Sequence, residues 1–380
     1  MFILALFLFF ARQMSTKPLR ILFLTYQGDM AGSTNSIAYL AKGLAQRGHA
    51  VYMGIRKESL LWTLLENTPV QRIAMTFGGK FDFGNWKQIR EVVRQHDIQL
   101  INAQSSHDRY TSIFANWRYK LNTRIVHTRR QMPMSMGGPL QLYLYNKKTS
   151  GVVAVSQQVK DGLVKLGIEE EHVKVIHNGT PKEKYDHLDT ELIEKLKARF
   201  NIKPGDFVLG CVSRLKNQEQ IFEALKRIDS PLKAIFCGLK KEESFVSHMS
   251  EFRADHEVFF EGDIPGDQIL NYFKLFDIKV LASTMEGLSQ SLLEAMALEV
   301  PVMATAFAGN LDLIQDGKNG LHFEDGNIDQ IVNCINTLRE DAALRAKLAK
   351  AGKTTALDTY SIERTIDNYE SYFRSLIDKS

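Results

Sequence analysis

Short β-rich runs alternate with amphipathic helical stretches along most of the chain. The first set of runs covers residues 20–26, 50–55, 98–103, 124–128, 151–155 and 173–176. After a charged stretch, residues 182–201, the alternation restarts with runs at 206–213, 232–238, 258–261, 277–283 and 300–304. This alternation indicates right-handed βαβ units and parallel sheets. Two sets predict two doubly wound α/β domains, with ligands bound in the cleft beyond the carboxyl ends of the strands.

Length and composition agree with two domains. The chain has 380 residues, of which 44% are hydrophobic, and this excludes a disordered or low-complexity scaffold. We place the N-terminal domain at 17–178, the C-terminal domain at 179–360 and a terminal helix at 361–380. Three widely spaced cysteines argue against a disulfide framework and for a reducing compartment.

An apolar tail, residues 1–16, precedes the first predicted strand. Its apolar run is about half as long as the ~20 residues that a membrane-spanning helix needs. A secretory signal fits poorly, because no positive charge precedes the run and no small-residue cleavage site follows it. Two interpretations stay open: a tail that touches a membrane, or an upstream start with the working protein beginning near Met14.

The stretch 282–297, ASTMEGLSQSLLEAMA, carries the most chemical information. A strand ends there, a short loop with Gly287 follows, and a helix begins near Ser289 or Gln290. Free amides at such a helix start bind anions and suit a phosphate. Carboxylates at Glu286 and Glu294 are placed to accept hydrogen bonds from sugar or ribose hydroxyls.

Two further segments follow predicted strands and point to the same cleft. Residues 206–216 deliver Arg214 and Lys216 to a strand end, and this pair suits a pyrophosphate. The loop 26–35 places Gly28 and Gly32 before a helix start. It lacks the G-x-G-x-x-G dinucleotide fingerprint, so a nicotinamide-dependent dehydrogenase is not expected. Phosphate-binding P-loop, zinc and serine-hydrolase motifs are also absent from the sequence, and we expect neither metal nor cofactor.

These motifs carry a family resemblance. SRLK (213–216), EGLSQSLLE (286–294), IHNGT (176–180), GNLDLIQD (309–316) and NGLHF (319–323) resemble the GT-B retaining glycosyltransferases of family four, or glycosyltransferase group 1. The resemblance covers about residues 20–375. It implies two Rossmann-like domains facing a cleft, an N-terminal domain for the acceptor, a C-terminal domain for a nucleotide sugar, and a terminal helix packed on the first domain.

The resemblance also implies roles for individual residues. The catalytic set would be Arg214, Lys216 and Glu286, with the two cations on the donor's phosphates and Glu286 on the transferred sugar. Glu294 would hold the nucleotide ribose, and the remaining donor contacts would come from Gly32, Gly287, Leu288 and Ser289. Residues 104–110 and 125–133 resemble the branch that acts on bacterial lipopolysaccharide or related surface glycans.

The charge is unevenly distributed, and this bears on the acceptor. Between residues 101 and 150, eight basic residues stand against Asp108 alone. We take His107, Arg109, Arg129 and Arg130 as acceptor candidates. The basic stretch fits anionic lipid headgroups or a phosphorylated glycolipid acceptor, and an ordinary solvated surface is the alternative. Nucleic acid is not expected, because no nucleic-acid-binding motif accompanies the charge.

The sequence therefore predicts an enzyme that transfers a sugar, with retention, from a nucleotide-diphosphate sugar. A UDP-sugar is favoured as donor, and a glycolipid or lipopolysaccharide-core acceptor at the cytoplasmic face of a bacterial inner membrane. A nucleotide-sugar 2-epimerase of the same architecture and a non-catalytic nucleotide-sugar or membrane-binding module are the alternatives.

Overall fold

The chain folds around two fully parallel β-sheets. The computed structural model describes residues 17–29, 32–79, 81–133 and 138–378, so the predicted tail 1–16 lies outside the described residues. The seven strands of the N-terminal sheet are β1 (Arg20–Leu24), β2 (Ala50–Ile55), β3 (Gln71–Ala74), β4 (Leu100–Ala103), β5 (Arg124–Arg129), β6 (Gly151–Ala154) and β7 (Val173–Val175). The six strands of the C-terminal sheet are β8 (Val208–Val212), β9 (Lys233–Cys237), β10 (Glu257–Glu261), β11 (Ile278–Leu281), β12 (Val302–Thr305) and β13 (Leu321–Phe323).

Helices connect the strands in both domains. Those of the N-terminal domain are α1 (Gly32–Gln46), α2 (Leu60–Leu64), α3 (Phe83–Gln95), α4 (Ser106–Tyr119), α5 (Pro139–Lys148) and α6 (Gln157–Lys165). Those that follow are α7 (Thr190–Arg199), α8 (Glu219–Leu225), α9 (Glu243–Met249), α10 (Ile269–Phe273), α11 (Gln290–Ala297), α12 (Asn310–Leu313), α13 (Ile328–Glu340), α14 (Ala342–Thr354) and α15 (Ile362–Ile377). Short 3₁₀ turns cover Glu170–His172 and Lys182–Tyr185. No described helix has both the length and the apolar character needed to cross a membrane.

The strand orders are β3-β2-β1-β4-β5-β6-β7 and β10-β9-β8-β11-β12-β13. Both sheets are therefore doubly wound, and the order reverses between β1 and β4 in one sheet and between β8 and β11 in the other. This confirms the predicted fold class of two Rossmann-like α/β domains. Every predicted strand is present, with its ends shifted by at most two residues.

The prediction missed two strands, β3 and β13, and each of them forms an edge of its sheet. β3 is an edge strand whose four residues are all partly or fully exposed. β13 has only three residues and closes the other sheet. Neither carries the continuous apolar run that burial on both faces gives to central parallel strands such as β4, all of whose residues are buried.

The last helix, α15, packs on the N-terminal domain. Its N-cap Ser361 accepts a hydrogen bond from the Arg364 amide. Ile366 and Phe373 on its buried face join the core cluster that contains Phe23 of β1. The two places where the chain passes between the domains are bonded to each other: the Thr180 amide donates to the Tyr360 carbonyl (2.9 Å), and the Ile362 amide donates to the Thr180 carbonyl (3.1 Å).

Candidate active site

A cleft of about 650 Å³ lies between the two domains. The cleft is lined by the loops that follow β1, β4, β8 and β11. These loops lie at the two points where the strand order reverses, one in each sheet. Ligands of doubly wound sheets bind at such points, because the loops on either side diverge and leave a crevice. The arrangement therefore brings two ligand-binding edges together across one cavity.

Most of the predicted site residues line this cleft. They are Gly32, Arg109, Arg129, Arg130, Arg214, Lys216, Glu286, Gly287, Leu288 and Ser289. Glu294 and His107 do not line it. Glu294 lies in the second turn of α11, and His107 stacks on the Tyr26 ring at a centroid distance of 4.3 Å.

The loop before α11 has the geometry that the sequence predicts for an anion site. Ser289 is the N-cap, and its hydroxyl accepts a hydrogen bond from the Leu292 amide (3.3 Å). Gly287 lies so close to the backbone of the other domain that a Cβ at this position would overlap the carbonyl oxygen of Arg130. The loop before α11 therefore lies directly against the end of β5, on the other domain.

The basic turn after β8 is held by a residue that the sequence analysis did not single out. Gln218 is fully buried; its side chain accepts from the Lys216 amide (2.5 Å) and donates to the Ser213 hydroxyl (2.7 Å) and the Arg214 carbonyl (2.7 Å). The Lys216 ammonium forms an ion pair with Glu286. Two of the three side chains that the sequence predicts to be catalytic therefore pair with each other.

Glu294 has a partner that its sequence neighbourhood does not reveal. The Lys184 ammonium lies 2.5 Å from its carboxylate, and both side chains are largely buried. Burial lowers the pKa of Lys184, but the Glu294 carboxylate and Tyr39 outweigh it, so the pKa of Lys184 is raised. The pair joins the 3₁₀ turn at Lys182–Tyr185 to α11.

Three arginines occupy the opposite wall. Arg130 donates to the Gln104 side-chain oxygen (3.0 Å) and to that of Asn178 (2.7 Å). Arg109 lies over the ring of Tyr145, 4.8 Å from its centroid. Burial, and next the charge of Arg129, lower the pKa of Arg109 to about 10. Arg129 lies directly before Arg130, at the end of β5.

Comparisons with known proteins agree with this architecture. Residues 30–184 match the family described as Glycosyltransferase Family 4, and residues 193–355 match Glycosyl transferases group 1. The putative glycosyltransferase EpsD of Bacillus subtilis is 23% identical over 76% of this chain and 80% of its own length. An alpha-monoglucosyldiacylglycerol synthase of Streptococcus pneumoniae is 22% identical over 78% of this chain and 73% of its own.

A solved structure has the same fold. Anabaena Alr3699/HepE, crystallised in complex with UDP-glucose, superposes with a TM-score of 0.78 at 23% identity, covering 94% of this chain and all of that one. Together with the two sequence matches, which span most of the chain, this makes the protein a glycosyltransferase of the GT-B fold.

Proposed function

We propose that this glycosyltransferase moves a sugar from a nucleotide-diphosphate sugar, preferably a UDP-sugar, to a glycolipid or lipopolysaccharide-core acceptor with retention of configuration. The observation that carries the proposal is the donor wall of the cleft, where Arg214, Lys216 and the start of α11 meet. HepE, which shares the fold, was crystallised with UDP-glucose. The acceptor enters from the N-terminal domain, opposite this wall.

The proposed chemistry is stabilisation of a departing diphosphate. Arg214, Lys216 and the amides around Ser289 face the position where negative charge develops, and fixed donors of this kind are worth about 3 kcal/mol of barrier each. A diphosphate competes with Glu286 for Lys216 and releases the carboxylate to accept from a hydroxyl of the transferred sugar. The acceptor hydroxyl attacks the anomeric carbon on the leaving-group side, and a leaving phosphate oxygen takes its proton.

Nucleotide binding and transfer test the donor assignment. Among UDP, GDP, ADP and their sugars, the UDP compounds should raise the melting temperature most, because a ligand of the folded state stabilises it by RT ln(1 + [L]/Kd). Arg214→Ala should lower turnover at least about a hundredfold with the fold intact, and Arg253→Ala, an exposed change in the same domain, should not. A protein that responds to no nucleotide, or an Arg214→Ala variant with normal turnover, contradicts the proposal.

The proposed contact with the inner membrane is supported by an exposed aromatic and basic face beside α4. Phe83 and Trp117 are 68% and 69% exposed, and Phe81, which is also exposed, stacks on Phe114 of α4. Arg118 and Lys120 follow Trp117 in the chain and are exposed. Aromatic side chains suit a bilayer interface and cations its anionic headgroups. α4 begins at the cleft and ends at this face, so the helix connects the two.

Vesicle binding tests this contact separately from catalysis. The protein should sediment with phosphatidylglycerol vesicles and much less with phosphatidylcholine. Phe83→Ser with Trp117→Ser should weaken that binding at least about tenfold, because two interfacial aromatics are lost. Val246→Ser removes an exposed apolar side chain of the other domain and should change nothing. If the double variant Phe83→Ser/Trp117→Ser binds phosphatidylglycerol vesicles as tightly as Val246→Ser does, this face is not the membrane contact.

A further inference from the structure

The cleft carries an excess of positive charge. Among the described residues that line it, Arg109, Arg129, Arg130, Arg214 and Lys216 are cations, and Glu286 is the single carboxylate. Glu286 is already paired with Lys216. A diphosphate on the C-terminal wall accounts for Arg214 and Lys216, and the three arginines of the N-terminal wall remain. One buried carboxylate, Asp108, lies beside Arg109, but it does not line the cleft and it accepts hydrogen bonds from the Gln104 and Ser105 amides.

Arg109 is buried, and Arg129 and Arg130 are partly buried. Arg109 is only 4% exposed, and no ion pair to Arg109, Arg129 or Arg130 occurs within the described part of the chain. Nε of Arg129 and Nη2 of Arg130 are shielded from solvent and have no hydrogen-bond partner among the described residues. A buried donor without a hydrogen-bond partner is destabilising, and more so when it is charged. Such a cluster of cations requires a negative charge or hydrogen-bond acceptors from another source.

The surroundings of the cluster suit an anion. Ser105 and Ser106 at the start of α4 and Ser33 at the start of α1 also line the cleft. The start of α1 adds the positive end of a helix dipole, whereas the start of α4 is already capped by the Asp108 carboxylate. The hydrogen bonds from Arg130 to the side chains of Gln104 and Asn178 hold its guanidinium on the N-terminal wall.

We propose that Arg109, Arg129 and Arg130 form an anion subsite that binds a phosphate or carboxylate group of the acceptor. The assignment to the acceptor rests on the proposed function, while the subsite itself rests on the unpaired arginines. Planar guanidinium groups hold such anions with paired hydrogen bonds. The enzyme therefore selects acceptors that carry a negative group near the reacting hydroxyl, and it uses a neutral acceptor poorly.

Titration of the UDP-loaded protein tests the subsite, because UDP occupies the donor wall. The probes are inorganic phosphate and sn-glycerol 3-phosphate, with glycerol as the uncharged match. Both anions should bind the wild type with one site, and glycerol should not. Arg129→Gln should weaken anion binding about 10- to 100-fold, as expected for lost bonds to a charged group, with UDP affinity changed less than about twofold. The anion affinity of Arg129→Lys should lie between that of the wild type and that of Arg129→Gln.

Arg94→Gln is the matched control, since Arg94 is an exposed arginine on α3 outside the cleft, and its anion affinity should equal the wild type's. Competition by phosphatidylglycerol vesicles, with loss of that competition in Arg129→Gln, assigns the anion to a lipid headgroup. Binding of glycerol 3-phosphate that such vesicles do not displace assigns it to a phosphorylated sugar. Either result supports the subsite.

Two results overturn the inference: UDP-loaded wild type that binds neither anion, or an Arg129→Gln variant that loses UDP and anion affinity equally. The second would place these arginines on the donor's phosphates. A protein that binds glycerol 3-phosphate through Arg129 but binds no nucleotide would support the subsite and refute the donor proposal, so the two failures are distinguishable.

Discussion

Variants of the ion pair between Lys184 and Glu294 can separate its contribution to stability from a contribution of Glu294 to donor binding. Its two side chains are 14% and 11% exposed, with ammonium and carboxylate 2.5 Å apart. Removing one member of a buried pair leaves the other charge uncompensated and costs about 3–5 kcal/mol. We expect the low end for Glu294→Gln, about 3 kcal/mol, because the Lys184 ammonium still lies near the Tyr39 and Tyr185 rings.

The double variant Lys184→Met/Glu294→Gln removes both charges and should recover most of this loss. Replacing a whole buried pair is often neutral, so its free energy of unfolding should lie within about 1 kcal/mol of the wild type's. Urea unfolding of the wild type, both single variants and the double variant gives the coupling energy of the pair. A Glu294→Gln variant that loses under about 1 kcal/mol, or a double variant as unstable as the single one, refutes the reasoning.

The same double variant separates the structural role of Glu294 from the ribose contact that the family resemblance implies. If the carboxylate accepts hydrogen bonds from the ribose, the stable double variant should bind UDP about tenfold or more weakly, since a bond to a charged group contributes about 1.5–3 kcal/mol. Calorimetric titration with UDP measures this. Wild-type UDP affinity in the double variant would leave Glu294 with a structural role alone.

Three further predictions concern stability. Gly179→Ala places a Cβ onto the Ser361 carbonyl oxygen and should lower the free energy of unfolding by about 1–3 kcal/mol in urea titrations, whereas Gly266→Ala, with nothing within 4 Å, should not. Ser289→Ala removes the α11 N-cap and should cost about 1 kcal/mol in the same assay. Burial, with Arg109, holds the pKa of His127 well below 6.5. As the pH falls, the unfolded chain therefore takes up a proton on His127 before the folded chain does, and the folded state loses up to about 1.4 kcal/mol of stability per pH unit below pH 6.5. This dependence of the free energy of unfolding on pH should be weaker in His127→Gln. An equal pH dependence in the variant and the wild type would contradict this.

The fold was predictable because its information is local. Each central strand is a short apolar run buried on both faces, and the helices between them have one apolar side. The edge strand β3 has the sequence QRIA, and its exposed residues resemble those of a loop. Edge strands are fixed by pairing with a neighbour, and such pairing leaves little trace in a single sequence.

The site was predictable where one loop carries it and not where distant segments meet. The N-cap at Ser289 and the basic turn around Arg214 follow from adjacent residues. Lys184 lies 110 positions from Glu294, in a charged stretch that the sequence analysis does not connect with the site. His107 follows a strand end as predicted, but its ring stacks on Tyr26 and does not line the cleft.

The basic stretch 101–150 combines two surfaces that the structure separates. Arg109 lies in the cleft near the start of α4, and Trp117 with Arg118 lies on the exposed face near its end. At 1.5 Å per residue, the eight positions from Arg109 to Trp117 span about 12 Å along the helix. If both the membrane contact and the anion subsite are correct, an acceptor anchored at that face must carry its negative group about this far from the bilayer surface. Lipid acceptors of graded headgroup length should therefore show a sharp minimum length for transfer, and equal rates at all lengths would separate the two surfaces functionally.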